Sequence, residues 1–107
     1  MNYRLMRMLC MFDLPVETES ERRAYRKFRK DIISEGFIMI QYSVYVRTCP
    51  NREYAHQIEN RLKKIMPKEG NVRLLCVTEK QYEDMKVFVG SKKATEEKIG
   101  AGRMIVL

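Results

Sequence analysis

Residues 7–15 have the sequence RMLCMFDLP, in which the apolar run MLCMF precedes one carboxylate and then a proline. An unbroken apolar run of this length is typical of a strand buried on both faces, or of a short buried helical segment. Pro15 disfavours the α region at the residue before it, which favours a strand that ends there. Asp13 then lies where a central strand leaves the core. It is either a functional side chain or an Asx-turn residue that hydrogen-bonds the turn backbone.

The composition indicates a single folded domain that binds a polyanion. The 107 residues suffice for one core, and 45% of them are hydrophobic and 33% charged. No stretch approaches the roughly 18 apolar residues of a membrane span or has the pattern of a signal peptide, so we expect a cytoplasmic protein. The net charge of +7 and the pI near 9.5 favour an anionic partner, most often nucleic acid, if the charge is concentrated on one face.

Three cysteines and one histidine do not form a metal-binding pattern. Cys10, Cys49 and Cys76 are far apart in sequence, and His56 is the single histidine. Zinc sites need ligands at short, defined spacings, which are missing here. We therefore expect free thiols in a reducing compartment, with Cys10 and Cys76 in apolar strands, and a surface position for His56.

A basic helix follows the first strand. Thr18 and Glu21 have capping-box spacing, so a helix from Thr18 to about Glu35 is expected, with Gly36 as its stop. The apolar residues Ala24, Tyr25, Phe28 and Ile32 share one side of this helix. The remaining side carries six basic residues within nine positions: Arg22, Arg23, Arg26, Lys27, Arg29 and Lys30. Such a one-sign face is a candidate phosphate-binding surface, although most charged helix faces are only solvated.

Residues 36–47 are rich in β-branched and aromatic side chains and predict strand structure. Because the segment is too long for one average strand, we predict a sharp hairpin at its polar break, Gln41 to Ser43. A single kinked strand is the alternative, because Asn-Gly turn chemistry is missing. Tyr42 and Tyr45 could stack on bases, but strand aromatics more often pack in a core or an interface.

The second half of the chain predicts another helix and strand. The helix is expected from Asn51 or Arg52 to Met66, with its core side formed by Tyr54, Ala55, Ile58, Leu62 and Ile65. A strand is expected at 71–78, a short helical turn at 79–85, and an edge strand at 86–89 before Gly90. Residues 91–102 resemble a linker, and the apolar segment 103–107 predicts a strand that pairs with a sheet edge of its own domain or of a second copy.

The order strand, helix, strand, strand, helix, strand predicts an α+β fold of the ferredoxin-like βαββαβ type, with an extra C-terminal strand. We expect residues 1–90 to form this domain and residues 91–107 to be the linker and the additional strand. The helices should cover one face of the sheet. The other face is then free to dock against a symmetry-related copy, so a homodimer is expected.

This order and four sequence segments resemble one protein family. The segments are 8–15 (MLCMFDLP), 22–30, 34–37 (SEGF) and 41–45 (QYSVY). Together they resemble the second core CRISPR-associated protein ("Cas two"), the small subunit of the spacer-acquisition machinery. Residues 71–82 (NVRLLCVTEKQY) are similar to the form in type II systems. The Phe-Asp strand end combined with Gln-x-Ser-Val-Tyr is the specific part of the match, which extends to about Gly90.

The resemblance implies two activities. One is a bridging role, in which a ferredoxin-like homodimer with crossed C-terminal strands is flanked by two dimers of the integrase subunit ("Cas one"), and a double-stranded protospacer DNA lies across the assembly. The other is metal-dependent endonuclease activity on RNA or DNA. In that case Asp13 would be the catalytic residue and magnesium ligand, paired with its counterpart across the dimer axis.

The residues themselves support the bridging role better than hydrolysis. Magnesium-assisted phosphodiester cleavage generally needs several oxygen ligands and a group that activates water. One chain offers Asp13 without a neighbouring second carboxylate, so two copies would have to share an ion. A DNA-binding adaptor is therefore the first hypothesis and a magnesium-dependent endonuclease the second. An RNA-recognition module ranks behind both because its signature strand is absent, and a ribonuclease toxin of similar fold is more remote.

Overall fold

The structure is a computed structural model that describes residues 5–90. The sequence prediction for residues 91–107 lies outside this range. The elements are β1 (Met6–Asp13), α1 (Glu19–Ser34), β2 (Ile38–Gln41), β3 (Val44–Cys49), α2 (Arg52–Lys63), β4 (Asn71–Thr78) and α3 (Glu79–Glu83). The predicted α+β class and element order are confirmed, with α3 as the predicted short helical turn. No helix in the described range is long and apolar enough to cross a bilayer.

The four strands form one antiparallel sheet in the order β2-β3-β1-β4. β1 is an inner strand, in which Leu9 faces Val46 of β3 on one side and Leu75 of β4 on the other. The apolar run at residues 8–12 thus occupies the centre of the sheet, as its composition predicted. Asp13 is the last residue of this strand and lies opposite Asn71.

One face of the sheet, which we call the helix face, forms the core. On β1 it consists of Met6, Met8, Cys10 and Phe12, each at most 6% exposed. These side chains pack in one cluster with Phe28 and Ile32 of α1 and with Ile58 and Leu62 of α2. The prediction that both helices cover the same face is confirmed.

The opposite face, which we call the open face, is less covered. Side chains alternate along a strand, so it carries Leu9 and Met11 of β1, and Leu75 of β4 lies beside Leu9. Leu9 and Met11 are half-buried, and Leu75 is 52% exposed. The apolar run of β1 is therefore fully buried on one face only. α3 contacts β1 and β4 and covers Arg7 at one end of the open face.

The predicted boundaries of α1 are confirmed by its caps. The Thr18 hydroxyl accepts a hydrogen bond from the Glu21 amide at 3.0 Å, and the Glu21 carboxylate accepts one from the Thr18 amide at 3.0 Å. This reciprocal pair satisfies two amides that the first helical turn leaves unpaired. Gly36 follows the helix with φ of +93°, the left-handed conformation that ends helices.

The segment rich in aromatics forms the predicted hairpin, so a single kinked strand is excluded. β2 and β3 pair antiparallel, and Tyr42 and Ser43 form the turn. Ser43 adopts φ of +65°, which supplies the left-handed residue without the usual Asn-Gly pair. Tyr45 is 1% exposed and stacks on Phe12 with ring centroids 5.6 Å apart, whereas Tyr42 is 89% exposed. Tyr45 is therefore a core residue.

Three details of the prediction were wrong. α2 ends at Lys63 instead of Met66, because the amides of Lys64 and Ile65 bond to carbonyls three residues back and tighten the last turn. Residues 86–89 form no strand, and Phe88 and Val89 are at least 86% exposed. Ala24 is exposed and does not belong to the core.

Candidate nucleic-acid interface and the Asp13 strand end

The six predicted phosphate-binding residues lie on the solvent side of α1, and all six are exposed. At 100° per residue, Arg22, Arg26 and Arg29 fall within about 60° of one another. Arg23 and Lys30 are seven residues apart and lie almost in line along the helix, with Lys27 at the margin of the basic face. The fold of α1 therefore gathers these positive charges on one helix surface.

Arg22 and Arg26 have partners within the chain. Arg22 donates to the carbonyls of Val16 and Glu17 at 3.1 and 3.0 Å. Glu19 lies 3.2 Å from Arg22 and 3.5 Å from Arg26. The Glu19 carboxylate thus offsets part of the positive charge at the N-terminal end of the basic face. All of these groups are solvent-exposed, so the ion pairs are weak and can rearrange when a polyanion binds.

Lys27 and Arg29 are also engaged. Lys27 forms an ion pair with Asp31 at 2.8 Å, one turn further along α1. The Arg29 Nε donates to the hydroxyl of Tyr45 at 2.8 Å. Because Tyr45 is a core residue, Arg29 satisfies a polar group at the edge of the core in addition to presenting its charge.

Arg23 and Lys30 differ from the other four basic residues. Neither forms a hydrogen bond or an ion pair with any residue of the range 5–90. Their charges are therefore fully available to an external anion. Within the basic face of α1, these two side chains are the strongest candidates for phosphate contacts, a ranking that the sequence alone did not provide.

Asp13 is exposed at the end of β1. Its carboxylate makes no hydrogen bond with the described residues. The alternative prediction, an Asx turn in which this carboxylate bonds the turn backbone, is therefore wrong. No hydrogen bond or ion pair in the described range joins Asp13 to any of the six basic residues of α1. The carboxylate is free to bind a ligand, but among the described residues it belongs to no cluster of metal-binding side chains.

Gly70, in the turn before β4, packs against the end of β1 at Asp13 and Leu14. It has φ of +95°, and a Cβ atom there would lie 2.6 Å from the Asp13 carbonyl oxygen and 2.7 Å from the Leu14 Cδ2. Such distances are shorter than van der Waals contact. The turn before β4 can therefore approach the end of β1 only because residue 70 lacks a side chain.

The residues of one chain do not fit a magnesium site. The described residues contain no group of three or more histidine, cysteine, aspartate or glutamate side chains that could hold a metal ion. Magnesium needs six oxygen ligands, of which carboxylates supply one or two and water several. Asp13 could thus contribute at most one ligand from each chain, and we derive no reaction step through a metal.

The remaining candidate groups are not reactive sites. Burial raises the pKa of the Cys10 thiol to about 11. Burial also raises the pKa of Cys49, with Arg47 acting in the opposite direction, and raises that of Cys76. Thiols with raised pKa values are poor nucleophiles at neutral pH. His56 is 79% exposed and lies 3.4 Å from Glu59, a surface position as predicted.

Fold and surface together define a class of protein: a small α+β domain in which a four-stranded antiparallel sheet supports a basic, solvent-exposed helix. Within that class the chain belongs to the Cas2 family. The family model described as CRISPR associated protein Cas2 matches residues 6–85. This match covers every element from β1 to α3, and it confirms the family resemblance found in the sequence.

Individual relatives are similar over nearly the whole chain. The chain is 54% identical to the CRISPR-associated endoribonuclease Cas2 of Ligilactobacillus salivarius over 102 residues, which is 95% of this chain and 100% of that protein. It is 45% identical to the protein of the same name from Streptococcus mutans, with coverage of 95% and 93%. A solved structure titled "Crystal structure of cas2" aligns with a TM-score of 0.50 and 22% identity, covering 84% of this chain and 92% of the other. That structure supports the fold alone.

Proposed function

We propose that the chain is a spacer-acquisition subunit of a CRISPR system, which as a homodimer holds double-stranded DNA and bridges dimers of the integrase subunit. The exposed basic face of α1, where Arg23 and Lys30 have no partner in residues 5–90, carries this proposal. Membership of the Cas2 family and the net charge of +7 support it. The function requires binding and positioning, which the described residues can provide, and no catalytic group.

The expected mode of DNA binding follows from the kind of residue on α1. Arginine and lysine on a helix surface bind phosphate oxygens and release counterions, so binding is independent of base sequence and weakens steeply with salt. Two copies of α1 in a symmetric dimer would repeat the same basic face. A duplex lying across both faces would meet positive charge at two places, as expected of a scaffold that holds DNA in a fixed orientation.

The open face supports the proposed homodimer. It presents Leu75, which is 52% exposed, beside the half-buried Leu9 and Met11. Contiguous apolar side chains on a sheet face are typical of an interaction surface. A twofold axis through this face would bury the same residues on both copies and leave α1 of each copy on the outside.

A double substitution tests the DNA-binding surface. Arg23→Gln with Lys30→Gln removes the two unpaired charges of α1 and should weaken duplex binding. If both residues contact phosphate in both copies of the dimer, four contacts are lost, and the slope of log K against log salt should become shallower by about 3.6. The affinity can be measured by fluorescence anisotropy at several salt concentrations.

The matched control is Arg52→Gln with Lys63→Gln, which removes two exposed charges from α2. It changes the net charge by the same amount but should leave the salt slope near its original value. Equal losses in the two double variants would mean that only the total charge matters. That result would contradict a binding surface on α1.

A second candidate function is magnesium-dependent endonuclease activity on RNA or DNA. The relatives in Ligilactobacillus salivarius and Streptococcus mutans are named endoribonucleases, and Asp13 is an exposed, unpaired carboxylate at the end of an inner strand. Asp13→Asn keeps the shape of the side chain and removes its charge. Phosphodiester cleavage in the presence of magnesium should then disappear while duplex binding persists, which separates the two functions. Cleavage that is unchanged in the variant would exclude Asp13 as the catalytic residue.

A further inference from the structure

The strands carry few charged side chains on the open face. Side chains alternate along a strand, so Arg7 and Asp13 of β1 share this face with Leu9 and Met11. Arg73 of β4 is paired with Met11 and therefore belongs to the same face. On the three strands β3, β1 and β4, the open-face residues include these three charged side chains and no others. Whatever covers the open face has to accommodate them.

Two of these three charges have no partner. Arg7 is buried and forms a bidentate ion pair with Glu79. Asp13 and Arg73 are exposed, and neither side chain forms a hydrogen bond or an ion pair with any residue from 5 to 90. They occupy diagonal positions, because Asp13 is paired with Asn71 and Arg73 lies two residues further along β4. Diagonal neighbours in an antiparallel pair are about 7–8 Å apart. A negative and a positive charge therefore lie close together, unbonded, at one end of the open face.

Both side chains are directed toward whatever covers this face. Side chains stand roughly perpendicular to a sheet, so Asp13 and Arg73 project from the sheet instead of toward each other. The proposed homodimer would place the open face of a second copy there, around the apolar residues Leu9 and Leu75. An apolar contact excludes water, and a carboxylate buried in it without a counterion is costly. Asp13 therefore needs a positive charge at such an interface.

We propose that Arg73 supplies this charge between subunits, by pairing with the carboxylate of Asp13 of the partner subunit. This inference rests on the homodimer of the proposed function. A twofold axis makes the contact reciprocal, so the interface contains the pair twice. Arginine suits the role, because its planar guanidinium can bind both oxygens of a carboxylate and stays charged at physiological pH. The pairs would fix the register of the two sheets and neutralise Asp13 without a metal ion.

Charge reversal at either position tests the pairing. Asp13→Lys would set two positive charges against each other at each contact, and Arg73→Glu would set two negative charges against each other. Because each homodimer then contains two repulsive pairs, the dimer Kd should rise at least about a hundredfold in either variant. The Kd can be measured by analytical ultracentrifugation in EDTA, so that no shared magnesium ion contributes. Both variants should keep the wild-type circular dichroism spectrum, because both positions are exposed.

Mixing the two variants shows whether the pairs form between subunits. If they do, every charged contact in a mixed dimer of Asp13→Lys and Arg73→Glu is attractive. An equimolar mixture should then form heterodimers with a Kd near that of the wild type, and native mass spectrometry distinguishes them by mass. If Arg73 instead pairs with Asp13 of its own chain, both repulsive contacts persist in the mixed dimer. Mixed dimers no more stable than the two variant homodimers would overturn the proposal.

Arg52→Glu is the matched control, because it reverses an exposed charge on α2 and should leave the dimer Kd unchanged. Asp13→Asn keeps an oxygen that can accept from Arg73, so it should weaken the dimer far less than Asp13→Lys. A monomeric wild type would contradict the homodimer and this pairing with it. A wild-type dimer whose Kd is unaffected by Arg73→Glu, or that forms only with magnesium, would overturn the pairing alone.

Discussion

At the scale of single residues, Asp13 and Gly70 show what a sequence pattern can and cannot locate. Asp13 could be found because a lone carboxylate after an apolar run, followed by proline, marks the end of an inner strand. The role of Gly70 depends on a contact between segments 57 residues apart, and no local pattern encodes it. The same limit applies to the neighbouring charges of Asp13 and Arg73, which are visible only once β1 and β4 are in register.

The first prediction concerns Gly70→Ala. The new Cβ would clash with the Asp13 carbonyl and the Leu14 side chain, and the left-handed backbone disfavours alanine. We expect the free energy of unfolding to fall by more than about 2 kcal/mol, measured by urea denaturation.

Gly90→Ala is the matched control, because Gly90 has φ of +108° and no atom of residues 5–90 lies within 4 Å of its added Cβ. This substitution should lower the free energy of unfolding only by the cost of placing alanine in the left-handed conformation, about 1–2 kcal/mol. If Gly70→Ala were no more destabilising than Gly90→Ala, the approach of the turn to Asp13 would not require glycine.

At the scale of elements, prediction was accurate where the signal is local and inaccurate where an element depends on its neighbours. The capping box of α1 and the positive φ at Gly36 involve residues close in sequence, and both boundaries were confirmed. Residues 86–89 have strand composition but pair with no strand of the described residues, because strand formation requires a partner that local sequence does not specify. Likewise, the intramolecular partners of Arg22 and Arg29 could not be deduced from a helical wheel, because Val16 and Tyr45 belong to other segments.

The second prediction concerns the attachment of α3 to the sheet. Arg7 is held by a bidentate ion pair with Glu79 and lies 4.3 Å from the Tyr82 ring centroid. Glu79→Gln would leave the buried guanidinium without its counterion. We expect the free energy of unfolding to fall by about 3 kcal/mol, because removing one partner of a buried ion pair leaves an uncompensated charge in the protein interior.

Glu83→Gln is the control within the same helix, since Glu83 is exposed and forms no ion pair in the described range. Its effect should stay within about 0.5 kcal/mol. The charge-free double variant Arg7→Met with Glu79→Gln should be more stable than the sum of the two single changes predicts. Additive losses would instead mean that the two residues stabilise the protein independently.

At the scale of the whole molecule, the fold class and element order followed from the alternation of strand-like and helix-like segments, and the family match agrees with them. How chains associate could not be derived in the same way. Burial patterns within one chain show which faces are covered, and they identify the part of the open face around Leu75 as a surface that residues 5–90 leave exposed. The homodimer therefore remains a prediction that rests on this face.

The third prediction tests that homodimer. Leu75 is 52% exposed on the edge strand β4 and lies beside Leu9 on the open face. Leu75→Asp would bury a carboxylate in an apolar contact between two copies, which is costly without a partner. We expect the substituted protein to elute as a folded monomer with the wild-type circular dichroism spectrum, with its mass measured by light scattering.

Val16→Asp is the control, because Val16 is 48% exposed and lies outside the sheet, and this variant should remain dimeric. Because a monomer presents one basic helix instead of two, Leu75→Asp should also weaken duplex binding and make its salt dependence shallower. A dimer that persists in Leu75→Asp would place the interface elsewhere.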